Sequence, residues 1–433
     1  MAAEVQPWFL DAKLGIFIHW GIYSRGDWSE SWAFFNGQVG YEEYMAQAKD
    51  FTAANYDPDE WARLFAESGA KYAVLTTKHH DGFALWPTKQ SKLNCVEASP
   101  AGRDLIGPYC DALRRRGLKV GLYFSHLDWS HPDYATILPK GAQPHSHGEM
   151  HSNRFAYPAW EDQNPEAWER FLKFHRAQLK EICEEFKPDL LWFDGDWERD
   201  SDQWRFSELR DQLKEWVPEV ILNSRMGGHG DYGTPEQAIP IAKPQGPWEF
   251  CVTMNDNWGY VKKDQNHKSV AQCVRMLAEC AGMGGNLLLD IGPKSDGSII
   301  PEQKETLEKL GKWTRKHSQA LYGTRSGLPH GHFYGPTTLS QDATTLYLFC
   351  FDHPVNGTAV KGIRNNVLKA SVVGGGEVKH KKIGGAPWAG LPGVLYLDVA
   401  RDDYDTEATV IKLELEGPLD LYTGHGDAVT FNV

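Results

Sequence analysis

Seven short apolar runs punctuate the first three quarters of the chain, and they constrain its fold more than any other feature. They are LGIFIHWG (14–21), AKYAVLTTKHH (70–80), LKVGLYFSHLDW (118–129), DLLWFDGDW (189–197), EVILNSR (219–225), WEFCVTM (248–254) and NLLLDIGP (286–293). Each is nearly continuous rather than alternating, as in parallel strands buried on both faces. Helical patterns fill the gaps at 104–117, 165–186, 206–216, 267–282 and 301–322. Before the second run, Asp57-Pro58-Asp59-Glu60 supplies an N-cap, a proline at N1 and a capping-box acid, and Gly69 stops the helix. Strands alternating with helices predict an α/β chain with a parallel sheet. Seven such units and one barely readable eighth predict a degenerate (β/α)8, TIM-like barrel whose last strand is the degraded one. An open doubly wound sheet is the competing arrangement, but no G-x-G-x-x-G follows the first run.

After about residue 335 the texture changes. TTLYLFCFD, NNVLKASVVGG, GVLYLDVA and ATVIKLELEG are short alternating strands separated by Gly/Pro turns, which suits a C-terminal β-sandwich. The expected division is a catalytic barrel over 1–335 and a sandwich over 336–433, with GTRSGLPHGHFYG (323–335) as the linker. The segment 131–160, with His145, His147 and His151, reads as a long loop beside a leaving-group site or a subunit contact.

Composition narrows the partners. A formal net charge of −13 argues against nucleic acid and anionic membranes. The seven cysteines form no C-x-x-C pair, so buried free thiols in a reducing compartment are expected. The start, MAAEVQPWFLDAKLG, has no basic stretch followed by an apolar one, and no run is long enough to span a membrane. A cytoplasmic location is expected; a secreted or periplasmic chain stripped of its signal peptide would read the same way. The 17 tryptophans are mostly core, yet such a chain has rings to spare for stacking on sugar faces.

The chemistry-bearing residues gather at the carboxyl ends of the predicted strands. His19-Trp20 ends the first and His79-His80-Asp81 the second. Tyr123, Phe124, His126, Asp128 and Trp129 end the third, Asp194 the fourth and Arg225 the fifth, and Trp258 follows the sixth. In a barrel these ends converge on one face, where active sites are built. Along the fourth strand, alternation puts Trp192, Asp194 and Asp196 on one side. Asp196, Glu198 and Asp200 read as solvated loop charges. A metal site from His19, His79, His80 and Asp194 is one reading, but adjacent His79 and His80 in extended backbone point apart, and no H-x-H follows the first strand. No metal and no cofactor is expected. Carboxylates amid indoles and imidazoles suit glycoside hydrolysis instead, with one acid at the oxocarbenium-like centre and another protonating the leaving oxygen. A catalytically inactive carbohydrate-binding protein on the same scaffold is the alternative of a different class.

LGIFIHWGIYS, GAKYAVLTTKHHDGF, LKVGLYFSHLDW, PDLLWFDGDWE, WEF…WGY (248–260) and GGNLLLDIGPKSDGSI (284–299) together resemble the retaining α-L-fucosidases of glycoside hydrolase family 29. The resemblance covers about residues 7–325 and implies a barrel followed by a sandwich. It implies Asp194 as nucleophile beside Trp192, with His19, His79 and His80 on fucose hydroxyls. Arg225 and Trp258 would line the pocket, Trp258 near the C5 methyl. Glu30 and Trp32 match a Glu-Trp pair of the family one residue out of register, and Phe124 stands where relatives carry a polar ring. For the acid/base two glutamates compete, with Glu30 a distant third. Glu236 lies in the long loop after the fifth strand, where the family places a carboxylate. Glu249 starts the sixth strand, at the end of a barrel remote from chemistry. The partner implied is a fucosylated oligosaccharide or glycoconjugate, with assembly into a homo-oligomer left open.

Overall fold

The computed structural model describes residues 5–134, 164–354 and 356–428, so His145, His147 and His151 lie outside the described residues. All seven runs form strands: β1 Leu14–Ile18, β2 Tyr72–Lys78, β3 Lys119–Ser125, β4 Leu190–Asp194, β5 Ile221–Leu222, β6 Glu249–Thr253 and β7 Asn286–Ile291. They make one curled parallel sheet in the order β5-β4-β3-β2-β1-β7-β6. Helices Pro58–Ser68, Ile106–Arg115, Pro165–Phe186, Phe206–Trp216, Val270–Gly282 and Pro301–Lys316 follow the predicted segments. The Asp57 carboxylate caps the first of these, accepting from the N–H groups of Asp59 and Glu60. The residues of β1, β2, β4, β6 and β7 are all buried. One side of each strand fills the barrel, where Phe17, Tyr72, Tyr123, Leu190, Trp192 and Leu288 cluster. The other side, with Leu122, Phe124, Leu191 and Phe193, packs into the larger core with residues of the helices.

The degraded stave is not the last one. β7 pairs directly with β1, Leu14 opposite Leu287, and the break lies between β5 and β6. Residues 231–237 bridge it from both sides. The Asp231 N–H donates to the Leu222 carbonyl (2.7 Å), and Cys251 N–H donates to Pro235 O (3.1 Å) while Gln237 N–H donates to Cys251 O (3.0 Å). This stretch, DYGTPEQ, has no apolar period, because its place is set by the exposed edges of its neighbours rather than by its own burial.

The C-terminal strands are β8 Thr324–Ser326, β9 Thr337–Ser340, β10 Thr345–Cys350, β11 Thr358–Val360, β12 Val367–Val372, β13 Lys379–Ile383, β14 Val394–Asp398 and β15 Thr409–Leu415. They form a five-stranded sheet, β12-β15-β10-β9-β8, and a three-stranded one, β11-β14-β13, all antiparallel. Leu346, Leu348, Ile411 and Leu413 of the first share a core with Val360, Leu395 and Leu397 of the second. The sheet begins inside the segment read as a linker, since Thr324–Ser326 is its edge strand. Alternation in β10 turns Tyr347 and Phe349 the other way, into the core shared with the barrel helices. Trp313 Nε1 donates to Ala408 O at 2.9 Å across the same seam.

Candidate active site

A cavity of about 340 Å³ opens at the carboxyl ends of the barrel strands, lined among others by His19, Trp32, His79, Tyr123, Trp192, Asp194, Trp197, Arg225, Glu236 and Trp258. Asp194 reaches it because β4 alternates: Leu190 and Trp192 point into the barrel, and Asp194, one step further, points into its mouth. Gly195 then turns the chain sharply away at φ 86°, where a side chain would strike Leu127.

Three groups address the Asp194 carboxylate. Arg225 Nη1 donates to Oδ1 at 2.5 Å, the Tyr123 hydroxyl donates to Oδ2 at 2.9 Å, and His80 Nε2 stands 3.6 Å from Oδ2. The other arm of the guanidinium, Nη2, pairs with Glu236 Oε2, so one cation joins the two carboxylates. Arg225 is itself laid over the Trp192 ring, 4.6 Å from its centroid. Glu236 is delivered by the irregular stave, whose flanking residues are bonded to Cys251.

The imidazoles are held by groups distant in sequence. His19 Nδ1 lies 2.7 Å from Asp290 Oδ1, His79 Nδ1 meets Ser31 Oγ, and His80 Nδ1 lies 2.6 Å from Ser125 Oγ. Burial pushes all three well below the usual histidine range, so they are neutral at pH 7. The Trp258 ring faces His19 at 4.9 Å.

Several expected residues stand elsewhere. Phe124 does not line the cavity: it is fully buried on the outer side of β3, under the Lys78 ammonium. Tyr123 takes the place, because it is opposite Trp192 in register and shares its face. Glu30 lies behind the cavity and accepts from the Gly259 N–H at 3.4 Å, next to Trp258. His80 is likewise fully buried behind the lining. Glu249 is enclosed in the barrel beneath the cavity, where its carboxylate accepts from Trp192 Nε1 (2.9 Å) and from the Tyr72 hydroxyl. Burial pushes it up to about 7. Glu198 is no solvated loop charge: it is buried, accepts from Trp129 Nε1 at 3.2 Å and from the Tyr134 hydroxyl, and is also pushed up to about 7 by burial. His79 and His80 do not point apart. Their rings lie 4.2 Å from each other, because the strand ends at Lys78 after a register shift beyond Thr76. Ligand atoms of His79, His80 and Asp194 come within 4.8 Å of one another, a spacing a metal ion would accept. The Arg225 guanidinium already occupies the Asp194 carboxylate, which opposes a second cation there.

Trp197 and Asn36 also line the cavity and went unread, as did Ser31, Ser125 and Asp290 behind it. Alternation along β3 and β4 was the available signal for Tyr123. For Trp197, in a short turn of 3-10 helix, and for Asp290, 271 residues from His19, none exists.

A β/α barrel with paired carboxylates among indole rings at its strand ends defines a glycoside hydrolase. Residues 1–319 match the family model described as alpha-L-fucosidase. The tissue α-L-fucosidases of Mus musculus and Homo sapiens are each 33% identical over 351 residues, covering 74% of this chain and 72% and 70% of theirs. Among solved structures, α-L-fucosidase isoenzyme 1 from Paenibacillus thiaminolyticus superimposes with a TM-score of 0.84 at 32% identity, covering 94% of this chain and 98% of that one. A Bacteroides thetaiotaomicron α-L-fucosidase, trapped as a covalent intermediate with 2-fluoro-fucosyl fluoride, gives 0.80 at 28% identity over 94% and 95% of the two chains. The chain belongs to the α-L-fucosidase family, glycoside hydrolase family 29. No helix among the described residues is long and apolar enough to cross a membrane.

Proposed function

We propose that this cavity hydrolyses terminal α-L-fucosyl residues of oligosaccharides or glycoconjugates with retention, Asp194 acting as nucleophile and Glu236 as acid/base. The observation that carries the assignment is the Arg225 bridge, which holds the two carboxylates across one cavity, one guanidinium apart. Retaining enzymes need two carboxyl groups about 5–5.5 Å apart. In the first step an Asp194 oxygen attacks the anomeric carbon, the glycosidic C–O bond breaks, and Glu236 gives its proton to the leaving oxygen. In the second, Glu236 takes a proton from water, the water oxygen attacks the same carbon, and the ester to Asp194 breaks. The covalent intermediate of the Bacteroides relative supports this double displacement. His19 and His79 then engage sugar hydroxyls, His80 backs the Asp194 carboxylate from behind the lining, and Trp258 lies against the C5 methyl.

Glu249 fits the acid role less well, since Trp192 stands between it and the cavity. The seven cysteines, all buried and free, support a reducing, cytoplasmic setting. The grouping of His79, His80 and Asp194 favours a second reading, a metal-dependent hydrolase. One assay separates the readings: nitrophenyl α-L-fucoside, galactoside and arabinoside run in parallel with and without chelator. Release from the fucoside, unaffected by chelator, is expected. Loss on chelation with recovery on adding a divalent ion supports the metal reading, and no release from any glycoside supports an inactive binding protein.

A further inference from the structure

Glu249 belongs to neither carboxylate role, yet its environment is too specific for a passive core residue. A carboxyl is costly to enclose in a barrel, and the cost is offset only when each oxygen finds a donor. Both oxygens do. Trp192 Nε1 donates to Oε1 at 2.9 Å, from β4, and the Tyr72 hydroxyl donates to Oε2, from β2. The carboxyl therefore ties the two strands together across the interior and fixes the angle of the Trp192 ring.

That ring is the floor of the cavity. It packs against Phe17 at 4.9 Å and lies nearly parallel to Tyr123 at 5.7 Å, and Tyr123 donates to Asp194. Above it lies the Arg225 guanidinium, which joins Asp194 to Glu236. A rotation of the indole about its strand would carry Arg225 with it and spread the two carboxylates. Small misplacements of reacting groups are costly in rate even when binding is intact.

We infer that Glu249 is a positioning residue for catalysis: through the Trp192 indole N–H it holds the ring on which Arg225 rests, and so sets the spacing of Asp194 and Glu236. This rests on the assignment of those two residues above. The Tyr72 bond serves stability, and the Trp192 bond serves the reaction.

The two contributions separate in a cycle of Glu249→Met, Trp192→Phe and the double variant, with Glu249→Gln as the conservative replacement. Phenylalanine keeps a ring under Arg225 and deletes the N–H. Steady-state rates on dinitrophenyl and methyl α-L-fucosides and the Tm are measured for each. Glu249→Met is expected to lower kcat/KM about tenfold, mostly in kcat and on both substrates, the activated dinitrophenyl fucoside included. In the Trp192→Phe background the same replacement costs little further activity but still lowers Tm, and Glu249→Gln restores most of the rate. If Glu249→Met does not fold, Trp192→Phe alone carries the test, and wild-type kcat with it overturns the inference. An undiminished Glu249→Met penalty in the Trp192→Phe background also overturns it. A penalty confined to the methyl fucoside, with azide giving a retained fucosyl azide, overturns the Glu236 assignment instead, and identifies Glu249 as the acid.

Discussion

Strands of the barrel and strands such as β15 and β13 of the C-terminal sheets bury their residues in opposite ways. β4 and β7 are buried at every position and turn charged only at or near their carboxyl ends, in Asp194 and Asp290. In β15 the buried residues alternate with half-buried Lys412 and Glu414, and all of β13 is exposed. A carboxylate at the barrel mouth is therefore enclosed by rings and by fixed donors, whereas Lys412 and Glu414 meet each other at the surface. The lesson is about dielectric: a charge does chemistry where water is excluded and partners are preset, as at the barrel mouth. The C-terminal sheets are proposed as a module that stabilises and supplies no catalytic group.

Removing the proposed nucleophile sharpens the contrast most. Asp194→Gly is expected to cost about 10⁴-fold or more in kcat/KM on every fucoside, with azide restoring turnover and giving an inverted fucosyl azide. Product configuration by NMR checks it. Glu236→Gly comes next: a loss of about 10²–10⁴-fold on poor leaving groups, a far smaller one on dinitrophenol, and a retained azide product. A flat leaving-group series would break the assignment.

A core residue of the sheets should behave in the reverse sense. Leu413 is fully buried between Leu346 and Ala370. Leu413→Ala is expected to cost about 2–5 kcal/mol of stability while leaving kcat of the folded enzyme unchanged. Chemical unfolding with parallel activity measurements reads both, and a fall in kcat at full folding would end the separation of roles.

The smallest effect concerns pH. Glu249 and Glu198 are both pushed up to about 7 from an ordinary 4.5 by burial. The folded state holds these protons longer than the unfolded one. Their stability is thus fully present below about pH 4.5 and is lost as pH rises through about 7. Tm should fall across that window, and Glu249→Gln with Glu198→Gln should flatten the slope, whereas substituting Lys412 and Glu414 should leave it alone.

How much of this was legible depended on whether a residue's neighbours lie close in sequence. The seven strands and six helices announce themselves because burial on both faces and capping are local signals, as at Asp57. The irregular stave does not, because 231–237 is held by backbone groups of β5 and β6 and carries no apolar pattern of its own. Asp194, Arg225, Glu236 and Trp258 were found through blocks resembling a known family, and the cavity brings them together. Phe124 was named through the family resemblance alone, and the alternation that puts Trp192 and Asp194 on one face assigns the cavity side of β3 to Tyr123 instead. The expectation that His79 and His80 diverge assumed extended backbone past Lys78, where the strand has ended. Glu198 looked like a surface acid because its partners, Trp129 and Tyr134, come from another loop.

The central claim is that Asp194 forms the bond to the sugar. The most direct measurement is to trap the intermediate with 2-fluoro-fucosyl fluoride in the Glu236→Gln variant, digest the protein, and locate the added mass by tandem mass spectrometry. The account predicts one fucosyl ester, on the peptide spanning Leu190–Asp194 and at Asp194 itself. A label on Glu249, or on any residue other than Asp194, would contradict it.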